Sequence, residues 1–343
     1  MADKSTFDEI MVSITHGLSG ESDKDVAYLN EQMEKYKDHE YGVEIIRACG
    51  RLLYEALPED KKAELNNAIK KDFKGFEAAL EEVKFNQYQK NFDKALELIE
   101  SMIKKYEQMD MFKDDEVSEY HCFREPMEEI VFRLMNTTEK DIRRSQLDYD
   151  RMYLLYGSIL FDLHRFDDAE KALATAKRWN PIHPNVAFEY AETFKARGLI
   201  DEFGRLTRDI FKIVFHPDKL ARCYRNLAYY YVEKQDYKTA VCCLLYSGLF
   251  EKNEHVASEL YYISQTSGEN YNPTREELHA TLEEHDIPFG PDEEILKAAY
   301  YYGMKFNEQG DKDTAGYFLS IFATYINDDE VNKILEAISG DNE

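Results

Sequence analysis

Residues 150–183 read DRMYLLYGSILFDLHRFDDAEKALATAKRWNPIH, and this stretch decides the fold. Large residues stand at Tyr153, Tyr156, Leu160, Phe166 and Leu173, and small ones at Gly157, Ala169 and Ala176. The spacing predicts two antiparallel helices that cross at Gly157 and Ala169. A side chain larger than a methyl group at either place would push the helices apart. Tyr153, Leu160, Phe166 and Leu173 fill the space around the crossing, each contributing roughly 1.5–3 kcal/mol when fully buried. Pro181 lacks the N–H needed to continue a helix and ends the repeat.

The same logic recurs on both sides. Residues 221–254 place Tyr224, Leu227, Ala228 and Tyr231 before Ala240 and Leu244, and residues 296–329 place Tyr302, Gly303 and Phe306 before Gly310, Ala315 and Leu319. Residues 76–109 follow more loosely, with Ala79, Val83, Phe92, Ala95 and Ile99. The marker alanines Ala95, Ala169, Ala240 and Ala315 are separated by 74, 71 and 75 residues. Each interval holds two repeats of about 34 residues, so a degenerate repeat is expected between each pair. These are 110–149, 184–220 and 255–295. In 184–220, Phe203 replaces the usual small residue, which predicts a wider or shifted crossing. Residues 1–75 carry four stretches of helical spacing and are read as two further helix pairs. Residues 330–338 form a terminal capping helix, followed by an acidic tail to residue 343.

This pattern resembles the tetratricopeptide repeat (TPR) family, closely over 150–254 and more loosely over 76–109 and 296–329. It also resembles bacterial cytoplasmic TPR proteins in which an N-terminal helical segment precedes the array. The resemblance implies an all-α, right-handed superhelix (an α-solenoid) of seven to nine helix-turn-helix pairs. Residues 1–75 would continue the stack as atypical repeats or cap it, and 76–329 would form the array, with 330–343 as the closing segment.

Composition narrows the function. Forty-three Lys and Arg against 68 Asp and Glu give a formal charge of −25, and such a surface repels nucleic-acid backbones. No run of 18 apolar residues occurs, and the N-terminus has no basic segment followed by an apolar one. With five cysteines and no CxxC pair, the expectation is buried, reduced thiols in a cytoplasmic chain. The nine histidines offer no HExxH spacing, and phosphate-binding and dinucleotide glycine loops are missing. The expectation is a protein that is not an enzyme and has neither metal nor cofactor.

In TPR proteins the first helices of successive repeats line a concave groove. The resemblance therefore implies groove positions at Arg151, Leu154, Ser158, Phe161 and Asp162, then at Asn185, Phe188, Glu192 and Lys195. The next repeat adds Arg222, Arg225, Tyr229 and Glu233. Tyr300 is expected in the groove, while Tyr231 and Tyr302 hold core places. Residues 205–225 carry six Lys and Arg against two Asp; either they pair with neighbouring acidic helices, or Arg222, Arg225 and Asn226 together receive a carboxylate, phosphate or acidic peptide end. Leu154 and Ser158 cannot supply the Lys and Asn of a TPR carboxylate clamp. The expected function is a scaffold or adaptor that holds a protein or peptide in the groove. The alternative is a regulatory receptor for a small signalling peptide, acting on a partner in trans.

Overall fold

The computed structural model describes residues 4–108 and 112–340, so the end of the acidic tail lies outside the described residues. The chain opens with α1 (Lys4–His16), α2 (Ser22–Tyr36), α3 (Gly42–Ala56), α4 (Glu59–Tyr88) and α5 (Phe92–Tyr106). Strand β1 (Ser118–His121), helix α6 (Pro126–Met135) and strand β2 (Asp141–Arg144) follow. Then come α7 (Tyr149–Asp162), α8 (Phe166–Trp179), α9 (Pro184–Ala196), α10 (Ile200–Phe211), α11 (Pro217–Glu233) and α12 (Tyr237–Ser247). The chain closes with α13 (His255–Ser267), α14 (Arg275–Glu284), α15 (Glu293–Glu308), α16 (Lys312–Ala323) and α17 (Asp329–Gly340). Among the described residues the regular structure is helical apart from the two short strands. No helix among the described residues is long and apolar enough to cross a membrane.

Two compact units divide these elements. The first comprises Met1–Cys122 and Thr138–Ile159, and the second Phe123–Thr137 and Leu160–Glu343.

In the first unit, α1, α2 and α3 bury Phe7, Ile14, Leu29, Tyr41, Ile45 and Cys49 in one core. Helices α4 and α5 form an antiparallel pair closed by Phe76 and Tyr106, whose rings meet edge-on at 4.9 Å. The boundary expected after residue 75 falls inside α4, which runs unbroken for 30 residues. Residues 70–80 contain no proline, and a single Gly75 costs a helix only about 1 kcal/mol relative to alanine. The expected degenerate helix pair at 110–149 is also corrected. Strands β1 and β2 pair in parallel, Ser118 opposite Asp141 through His121 opposite Arg144. Asp115 and Asp114 fix the entry to β1, accepting from the N–H groups of Ser118 at 2.7 Å and Tyr120 at 2.8 Å. Four-residue strands are too short to leave a period-two signature among 30 apolar and polar neighbours.

In the second unit each helix from α8 to α13 packs on the next, α14 rests on α12, and α15, α16 and α17 form a further stack beside α6. The marker alanines Ala95, Ala169, Ala240 and Ala315 are all wholly buried. A second repeated feature lies in the turns. Lys90, His164, Gly198, Gln235 and Gly310 each adopt positive φ, between 58° and 80°. The next residue's N–H reaches back five places, as from Arg165 to Leu160 and from Leu199 to Phe194, both at 2.9 Å. Asn91, Asp236 and Asp311 do the same to Asn86, Tyr231 and Phe306. This is the Schellman arrangement, which satisfies the last carbonyls of a helix. Glycine serves at 198 and 310 because the left-handed region costs it nothing. Among the described residues the same turn therefore joins five helix pairs, and it also ends α14, where Asp286 has φ 52° and the Ile287 N–H reaches Leu282 at 2.9 Å.

Phe203 is buried, and the small residue is Gly204, one place on. A Cβ on Gly204 would meet the Tyr230 ring at 2.5 Å. This is the contact of α10 with α11 of the next pair, where Phe203 also meets the Tyr229 ring edge-on at 5.9 Å.

A polar cluster ties the start of α6 to distant parts of the second unit. Glu125 takes hydrogen bonds from His216 Nε2 at 2.9 Å and from the Tyr317 hydroxyl at 2.7 Å. The hydrogen bond to Glu125 raises the His216 pKa against the opposing effect of burial, with Asp218 adding to the rise and Lys219 opposing it. Burial pushes the Glu125 carboxyl up, but His216 and Tyr317 outweigh it and hold it below the ordinary value. The charged pair contributes fully between about pH 4.5 and 6.5, above the ordinary glutamate and below the ordinary histidine value. The contribution is lost as pH rises through the raised His216 value, and again as pH falls through the lowered Glu125 value. Glu125→Gln should therefore lower the urea midpoint more at pH 6 than at pH 8.5. A deficit that is the same at both pH values would exclude the ion pair as its source.

Candidate binding groove

Most of the expected site residues of the second unit fall on α9 and α11, and of these Tyr229 and Glu233 are exposed. The first-unit candidates are occupied within their own unit. Arg151 pairs with Asp148 at 3.0 Å and Glu77 at 3.2 Å, and Ser158 accepts from Gln87 Nε2 at 2.9 Å. Leu154 is half-buried. In the second unit Phe161 packs edge-on against Phe166 at 5.1 Å, and Asn185 is half-buried.

Phe188, expected in the groove, is wholly buried and is corrected to a core residue. Helix α9 is covered by both α8 and α10, and the Arg222 guanidinium lies 4.4 Å above the Phe188 ring. Arg222 also pairs with Glu189 at 3.1 Å. The basic stretch 205–225 is likewise consumed by the fold. Arg225 meets Glu251 at 2.8 Å, and Arg205 bonds to Glu202 and Asp209. Arg208 donates to the Tyr231 hydroxyl at 2.6 Å and the His285 carbonyl at 3.1 Å. Lys212 pairs with Asp209 at 2.8 Å and Lys219 with Asp218 at 2.7 Å. Asn226 is 8% exposed, and among the described residues its amide nitrogen has no hydrogen-bond partner. Of the two readings of this stretch, pairing with acidic neighbours is the one found, and the anion site at Arg222, Arg225 and Asn226 is corrected: each arginine already faces a carboxylate, and the asparagine is buried.

Tyr229 remains accessible, at 36% exposure. Its ring takes the Lys195 ammonium at 4.4 Å, and Lys195 in turn pairs with Glu192 at 3.1 Å. Burial, with the Glu233 charge behind it, raises the Tyr229 hydroxyl pKa. Tyr231 is buried as expected, whereas Tyr302 is only half-buried, 5.7 Å from Phe318. Tyr300 is half-buried against Phe322 at 5.1 Å. The exposed member of that triplet is Tyr301.

Beside Tyr229 lies a pocket of about 240 Å³ lined by Ala228, Val232, Glu233, Leu244, Glu259, Tyr262 and Ile263. Tyr262 is 59% exposed at its mouth. Burial pushes the Glu259 carboxyl up, against the lowering effect of Arg225, Lys195 and His255. Sequence reasoning missed the α13 side of this pocket. Glu259, Tyr262 and Ile263 stand at i, i+3 and i+4, the spacing that puts residues on one helix face. That signal was present in a stretch matching the repeat pattern poorly.

The cysteines offer no accessible nucleophile, since all five are buried. Burial pushes Cys122 up to about 12 and raises Cys223 and Cys243 as well, whereas the thiolate is the reactive form. No protein-family model matches the chain, and no curated protein matches it in sequence.

Proposed function

We propose that this chain is a non-catalytic binding protein, a cytoplasmic scaffold or adaptor of TPR type. Its second unit winds as a superhelix and holds an extended peptide or helix along α9, α11 and α13. The observation that carries this reading is the repetition itself: within the second unit one turn type joins α9 to α10, α11 to α12 and α15 to α16, and Ala169, Ala240 and Ala315 are buried. Such pairs set their first helices side by side, and the Lys195–Tyr229 and Arg222–Glu189 contacts join α9 to α11. A peptide laid across them meets tyrosine rings and charged rims, the combination that supplies binding hot spots.

The test is selection of linear peptides from a random displayed library on the immobilised protein. Tyr262→Ala is the control variant, because an exposed side chain is not needed for folding. Selected peptides should bind the variant at least about tenfold more weakly, as for a hot-spot tyrosine, with helical circular dichroism unchanged. Failure to select any sequence, or equal binding to both proteins, would rule out the groove.

A further inference from the structure

We propose that the pocket between α11, α12 and α13 takes a lysine side chain of the bound peptide, so that the groove selects a basic ligand. This rests on the groove reading and names what the groove would recognise.

The pocket has two kinds of wall. Its apolar part is Ala228, Val232, Leu244 and Ile263, and Leu244 and Ile263 are buried. Its polar part is two carboxylates on different helices, Glu233 of α11 and Glu259 of α13. Both are exposed; the Tyr229 hydroxyl bonds to Glu233, the charges of Arg225, Lys195 and His255 act on Glu259, and among the described residues neither forms an ion pair with a lysine or arginine. The nearby cations have other partners: Lys195 has Glu192, and Arg225 has Glu251. A lysine matches this division, because its flexible four-carbon stem ends in a compact ammonium with three donors. The stem lies on the apolar wall while the head reaches both carboxylates.

The tyrosines point the same way. Tyr229 already carries the Lys195 ammonium over its ring, so the face of this helix stabilises a cation where one is present. Tyr262, open at the mouth, presents a second ring to the incoming group. The charge of the whole chain agrees. At −25 it draws basic segments toward it, and the one basic stretch that argued for an acidic ligand is neutralised within the fold.

The peptide selection decides the matter once its sequences are read. Tyr262-dependent peptides should share a lysine at one fixed position. Acetylating that lysine, which removes its charge, should weaken binding about tenfold or more, the loss of one charge-assisted hydrogen bond. Glu233→Gln/Glu259→Gln should weaken the unmodified peptide to a similar extent while leaving the acetylated one nearly unaffected. Peptides that need Tyr262 yet carry no required lysine, or that bind equally well when acetylated, overturn the lysine pocket and leave the groove standing. If no peptide depends on Tyr262, both readings fall. Acetylation alters only the ligand, so the result stands whatever the double variant does to folding.

Discussion

Tyr224→Ala should lower the stability of the second unit by about 3–5 kcal/mol, the range for removing a large buried aromatic. Tyr224 is fully buried at the meeting of several elements. Its ring stacks on Phe250 at 5.4 Å and 11°, and meets Phe211 and Tyr246 edge-on at 5.0 Å each. Its hydroxyl donates to the Pro288 carbonyl at 2.6 Å, tying α11 to the loop that precedes α15. Alanine at this place removes both the packing and the tie. Tyr224→Phe keeps the ring and loses only the hydrogen bond, a cost of about 0.5–1.5 kcal/mol. Urea unfolding followed by circular dichroism separates the two. Equal losses for both variants would show that the hydroxyl, rather than the ring, holds this junction. A stack of repeats can also unfold in stages, so a broadened transition for Tyr224→Ala is itself an expected outcome.

Two glycines give the second large contrast, because they look alike in sequence and differ in surroundings. A Cβ on Gly303 of α15 would stand 2.5 Å from Leu319 Cδ2 and 3.2 Å from the Leu319 backbone nitrogen. The leucine tip can rotate, but the backbone of α16 cannot yield without moving the helix. Gly303→Val should therefore cost about 1–3 kcal/mol from overpacking. On Gly316 of α16 the nearest atoms of Ile338 are 3.5 and 3.8 Å away, an ordinary contact. Gly316→Ala should stabilise by up to about 1 kcal/mol, the helix preference of alanine over glycine. Melting temperatures of the two variants should move in opposite directions. A fall for both would mean that α16 and α17 pack more tightly than these distances imply.

Much of this was legible in the sequence, and the reason is local. Gly303 was readable as a crossing point and Ala169 as a buried place because a helix pair repeats its small residues at the same offset each time. Phe203 marked an unusual place on α10, but the close approach of its neighbour Gly204 to Tyr230 of α11 was not legible, since that contact joins two different pairs. The strands at 118–121 and 141–144 were not legible, since four residues leave too short a pattern. Nor was the continuity of α4, because a helix that lacks breakers looks the same as two helices placed end to end.

The binding face divides along the same line. The sequence by itself determined that the chain is helical, where its helix pairs turn, and that Tyr231 and the marker alanines face inward. Each of these depends on residues within one or two turns of each other. Only the tertiary structure decided which charges were left over. Arg222 and Arg225 look like an anion site in a linear reading, yet their partners Glu189 and Glu251 lie on neighbouring elements. Which carboxylate reaches which guanidinium depends on the offset between packed elements, and no periodicity within a single helix encodes that offset. The same offset sets Glu233 and Glu259 against one small apolar cavity without a basic partner among the described residues. On the proposed reading this face takes a basic ligand, while the basic stretch 205–225 pairs within the fold, one of the two readings its sequence allowed.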